Sequence, residues 1–180
     1  YSGLKLKNNY IGIEAHYWSY GIQRRFYYSL SRILNCKYND YVSKETVLGF
    51  NSLNHIGSDN SNLQDINQIP SWNFDLVTNK SVNLITATQC LNELNIAGIV
   101  WFLFNTLRTC NVGGFVYIRD SRKLKPGRHT VNYDKFLINN GFELVRDFEG
   151  KNRVDIYSLP RLYKRNSINS NLNTFEDIHS

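Results

Sequence analysis

Two side chains are placed to move a proton: the carboxylate of Glu93, in QCLNEL (89–94), and the imidazole of His129, just after the basic run KLKPGR (123–128). Glu93 could position or deprotonate a hydroxyl, and an imidazole such as His129 could act as a general base near neutral pH, although an exposed loop histidine is the commoner case. Glu14 and Asp120 each close an apolar run, YIGIEA (10–15) and FVYIRD (115–120). No third ligand accompanies Asp120 and Glu93, so no metal is expected. Lys123, Lys125 and Arg128 could meet a substrate phosphate, although a solvated loop is the default reading of such a run. His16-Tyr17-Trp18 with Arg24-Arg25 could stack bases and meet a nucleic-acid backbone, but such aromatics more often pack a helix. Cys36, Cys90 and Cys110 are far apart. They show neither zinc spacing nor a disulfide framework, and reduced thiols in a cytoplasmic protein are expected.

The elements that position these groups follow from periodicity. Residues 10–15 read as a buried strand, and Ile22, Phe26, Leu30, Ile33 and Leu34 recur at helical spacing over 22–34. Residues 46–50 (TVLGF) are a second strand candidate, and the polar stretch 51–68 reads as a long surface loop. Strand 82–86 (VNLIT) precedes a helix over 96–108 that is apolar nearly all round. Gly113-Gly114 then turns into strand 115–119. Asn132 is placed to cap a helix ending near Asn139, with Gly141 as its stop. Residues 142–148 and 154–159 alternate as a final antiparallel pair. Strands alternating with helices predict an α/β fold: a Rossmann-like, doubly wound, mostly parallel sheet ending in an antiparallel strand pair. In such sheets ligands bind beyond the carboxyl ends of the strands, which selects Thr86, Ala87, Thr88 and Gln89.

The 180 residues predict one domain over 1–165, followed by an Asn- and Ser-rich, loosely tethered tail over 166–180. No apolar run approaches the roughly 20 residues of a membrane span, and no membrane partner is expected. The start lacks a secretory apolar region and a Met, which reads as a mature or trimmed fragment. A net charge of +6 leaves a nucleic-acid partner open, below a small-molecule substrate.

The run SVNLITATQCLNELN (81–95), the helix after it and NVGGFVYIRD (111–120) resemble the second half of the class I S-adenosylmethionine (SAM)-dependent methyltransferases. The pieces QCLNEL and VYIRDS also resemble the sugar O-methyltransferase group within that superfamily. The resemblance spans about residues 10–163 and implies SAM as cofactor and methyl transfer to a hydroxyl, of a sugar or sugar-containing metabolite. It implies further that Glu14 hydrogen-bonds the cofactor ribose, that Thr86, Ala87, Thr88 and Gln89 line the cofactor, and that Glu93 or His129 serves the acceptor.

The sequence departs from that pattern at its start. The family's first strand ends in a glycine-rich loop that lets backbone N–H groups approach the cofactor, and no such loop is present in this sequence. In one register YIGIEA is the second strand, and the glycine loop belongs upstream of Tyr1. In the other it is the first strand, with His16-Tyr17-Trp18-Ser19-Tyr20-Gly21 in place of the glycines. The second register implies an inactive domain serving as a binding or scaffold subunit. The first is preferred because Glu14 and the pair Tyr27-Tyr28 resemble the sugar group at that place. A nucleic-acid methyltransferase is a further alternative.

Overall fold

The computed structural model describes residues 10–14, 17–42, 66–88, 90–120, 132–147 and 159–167. The chain divides into two compact units, residues 1–78 and 79–180. The strand expected over 46–50, the loop 123–128 with His129, and Gln89 lie outside the described residues.

In the first unit, strand β1 (Tyr10–Glu14) leads to helix α1 (Tyr17–Leu34), then to β2 (Tyr38–Asp40) and β3 (Ile66–Pro70). The sheet order is β1-β3-β2, parallel throughout, with Glu14 opposite Pro70 and Asp40 opposite Gln68. Helix α1 begins five residues before the expected 22–34. Its inward face is Tyr20, Tyr27 and Ser31, which follow one another at helical spacing and are buried. Strand β3 takes the end of the segment read as a polar loop. All five of its residues, INQIP, are buried. Its polar side chains are tolerated because they are answered: Tyr38 Oη donates to Gln68 Oε1 (2.6 Å), Gln68 Nε2 to the Tyr20 carbonyl (2.9 Å), and Asn39 Nδ2 to Asn67 Oδ1 (3.1 Å). A pattern of alternating hydrophobicity does not register such a strand.

In the second unit, β4 (Val82–Thr88) is followed by a 3₁₀ turn (Leu91–Glu93), α2 (Ile96–Thr109) and β5 (Cys110–Asp120). Helix α3 (Tyr133–Asn139), β6 (Phe142–Asp147) and β7 (Leu159–Arg165) complete it. The sheet order is β4-β5-β7-β6. Strand β4 runs parallel to β5, and β7 lies antiparallel to both β5 and β6. The fold is therefore α/β, with parallel pairing dominant and an antiparallel pair at the end, as expected. The last strand begins at Leu159, where 154–159 was expected.

Local signals explain these elements. Asn95 caps α2 by accepting from Gly98 N (2.8 Å), and Asn132 caps α3 by accepting from Lys135 N (3.0 Å). Gly141 stops α3 with φ +86°, a conformation that favours glycine. Asn166, at the start of the expected tail, donates its N–H to the Gly141 carbonyl at 2.9 Å. Gly113-Gly114 does not precede β5 as a turn but lies within it. Between the pairs Val82–Cys110 and Leu84–Phe115 the strand bulges, with Gly113 at φ +83°. Helix α2 buries Ile99, Leu103 and Leu107 against Val116, Ile118 and Phe136. Arg165 is itself buried and donates to the carbonyls of Leu107 and Cys110, satisfying the last turn of α2.

Candidate functional site

Parallel pairing in the first unit brings the carboxyl ends of β1, β3 and β2 to one edge, where Glu14, Pro70 and Asp40 stand. The first half of α1 supplies polar groups to the same residues. Gln23 Nε2 donates to Glu14 Oε2 at 2.9 Å, while Glu14 stays only half-buried. Asp40 is buried and held by Tyr20 Oη on Oδ1 (2.9 Å), by the Val42 N–H on Oδ1 (3.1 Å) and by Arg24 Nε on Oδ2 (2.8 Å), among others. Burial, and then the neighbouring Asp40 charge, push the Tyr20 phenol well above its ordinary range. Asp40 is thus a neutralised anchor between helix and strand. Glu14, at the end of β1, is the more exposed of the two carboxylates.

The chain leaves β3 through a 3₁₀ turn (Ser71–Leu76). Asn73 in that turn is 1 % exposed, and neither amide atom has a hydrogen-bond partner. Such an orphan costs about 1–3 kcal/mol unless something answers it. The sequence reading missed Asn73. Its only signal was its place three residues beyond a strand that had not been recognised.

In the second unit β4 and β5 also end on a common edge, Thr88 opposite Arg119 and Ala87 opposite Ile118. The pleat turns Thr86 and Thr88 outward and buries Ala87 in the core, so the Ala87 side chain serves packing there. Leu91 is 1 % exposed and anchors the turn that follows. Glu93 therefore ends a short, tethered segment as an exposed carboxylate, two residues before the Asn95 cap. Thr86, Thr88 and Glu93 thus belong to the second unit, and Glu14 and Asn73 to the first.

Arg24 is committed to Asp40, which weakens the pairing of Arg24 with the aromatics as a nucleic-acid surface. Among the described residues no three His, Cys, Asp or Glu side chains assemble as a metal site. No helix among them is long and apolar enough to cross a membrane. All three cysteines are free thiols. Cys110 is fully buried, and burial raises its thiol to about 11.

No family model matches the chain, and no curated protein matches it. Among solved structures it is similar to the "Crystal structure of a putative type 11 methyltransferase from Sulfolobus solfataricus". The identity is 16%, the TM-score is 0.43, and the match covers 92% of this chain and 88% of that one. A likeness at that level decides neither fold nor activity.

Proposed function

We propose that the chain is the greater part of a SAM-dependent methyltransferase domain, acting on a hydroxyl of a sugar or sugar-containing metabolite. The observation that carries this reading is lateral order. In doubly wound sheets the strands lie 3-2-1-4-5-6, so the second strand has the third beside it. Strand β1 lies beside β3, with β2 beyond. That order supports β1 as the second strand and β3 as the third, with β2 as an added edge. Were β1 the first strand, β2 would be expected next to it. Glu14 then stands at the end of the second strand, where the resemblance puts the ribose ligand.

The residues present fit part of the cofactor. The Glu14 carboxylate can accept from two hydroxyls, and the orphaned Asn73 amide matches the donor–acceptor edge of an adenine. Thr86 and Thr88 are exposed beside the second edge, and Glu93 is free in solvent to orient an acceptor hydroxyl. When bound, the sulfonium supplies the methyl group. The side chains contribute alignment and, at Glu93 or His129, a place for the proton. A cytoplasmic setting with reduced thiols accompanies this reading. The inactive scaffold alternative stays with the register in which β1 is first.

Titration calorimetry tests the proposal. In the preferred register the first strand and its glycine loop precede β1 and hold the methionine part of SAM. The 180-residue chain then keeps a few hydrogen bonds of about 0.5–1.5 kcal/mol each, short of the roughly 8 kcal/mol of a micromolar ligand. Weak binding is expected from the chain as it stands. Binding restored by residues upstream of Tyr1 and abolished by Glu14→Ala would support the register. Low-micromolar binding by the 180 residues alone would refute it.

A further inference from the structure

Helix α1 has two apolar faces, one buried and one largely exposed. Tyr20, Tyr27 and Ser31 are buried. On another face Trp18 is 74 % exposed, Ile22 71 %, Phe26 59 % and Ile33 64 %. Steps of four, four and seven residues align these side chains along one stripe of the helix. Four large, mostly exposed apolar groups in a row mark a contact surface better than scattered single residues would.

The charges beside the stripe select its partner. Helix α1 contains three arginines and no acidic residue. Arg24 is taken by Asp40. Arg25 and Arg32 are exposed and, seven residues apart, flank the stripe on one side. Neither is in an ion pair among the described residues. A second copy docked on this face through a two-fold axis would oppose the patch to itself, arginine to arginine, with no carboxylate in the helix to answer. A nucleic acid would leave Ile22 and Ile33 without an apolar counterpart. An anionic bilayer surface answers both features, because acyl chains take the apolar stripe and headgroup phosphates and carboxylates take the arginines.

We propose that the outer face of α1 lies in the interface of an anionic membrane, as a peripheral contact. The expectation of no membrane partner rested on the absence of an apolar span, which peripheral binding does not need. The proposal is independent of the methyltransferase reading.

Flotation of the whole chain with vesicles of phosphatidylcholine and phosphatidylserine in equal parts, and with phosphatidylcholine alone, tests it. Binding is expected to the mixed vesicles and should be about tenfold or more weaker to phosphatidylcholine. It should also weaken as salt is raised. Ile22→Ser with Phe26→Ser should abolish it, and Arg25→Glu with Arg32→Glu should remove the preference for phosphatidylserine. All four positions are exposed, and circular dichroism checks that the helix persists. If the serine pair unfolds the chain, the arginine pair carries the test. The proposal is overturned by absence of binding to the mixed vesicles, by binding indifferent to phosphatidylserine, or by binding that survives the serine pair. A dimer in sedimentation equilibrium that the serine pair dissociates would assign the face to a second copy instead.

Discussion

The Tyr20 hydroxyl donates to Asp40 Oδ1 at 2.9 Å, joining the first turns of α1 to the carboxyl end of β2. The same oxygen of Tyr20 lies 3.2 Å from the Gln68 carbonyl. Its single proton goes to the carboxylate, the closer and charged acceptor. Tyr20→Phe removes one hydrogen bond from the buried Asp40 carboxylate, while those from Arg24 and the Val42 N–H remain. We expect a loss of about 1–3 kcal/mol in denaturant unfolding, with the fold retained. An unchanged midpoint would mean that the Arg24 pair alone holds the strand end.

The first unit should weaken in alkali. Burial and then Asp40 raise the Tyr20 and Tyr38 phenols, and burial and then the Tyr10 hydrogen bond raise that of Tyr27. In each case the folded value exceeds the unfolded one, 10.0. Their stabilisation is therefore complete below that value and is lost as pH rises through the folded values. Absorbance titration should show these phenolates appearing only as the structure unfolds, later than those of exposed tyrosines. Early, reversible ionisation of all tyrosines would contradict the buried network.

Gly12 is small because Tyr27 needs the space. A Cβ there would stand 2.8 Å from both Tyr27 Cε2 and its hydroxyl oxygen. The ring is itself held, hydrogen-bonded to Tyr10 at 3.1 Å and in edge contact with Phe26. Gly12→Ala should cost about 1–3 kcal/mol by overpacking. A double-mutant cycle with Tyr27→Leu should show strong coupling. Additive losses would place the cost elsewhere.

Glu93→Gln bears on the acceptor side. In the active protein, turnover is expected to fall about 10²-fold or more, the usual scale for losing a general base, while SAM affinity stays nearly constant. Unchanged turnover would exclude Glu93 from proton transfer and turn attention to His129.

The second half of the chain was legible because its signals are local. Asn95 and Asn132 cap helices through contacts three residues away, and Gly141 stops one through its own φ. Strand 82–86 and helix 96–108 stand out as apolar runs, and Glu93 was visible as an acid between them. Strand β3 was not legible. Asn67 and Gln68 look like loop residues until Asn39, Tyr38 and Tyr20 arrive from elsewhere in the chain to satisfy them.

What the sequence determined by itself was the class of fold, the later elements and the placement of Glu14 at a strand end, because hydrophobic spacing and capping act over a few residues. Only the tertiary structure decided that β3 lies between β1 and β2, that Asp40 is an anchor held by Tyr20 and Arg24, and that Asn73 is buried without a partner. Those outcomes depend on which polar groups meet after the chain has closed loops of tens of residues. No local pattern encodes the satisfaction of a hydrogen bond at that separation.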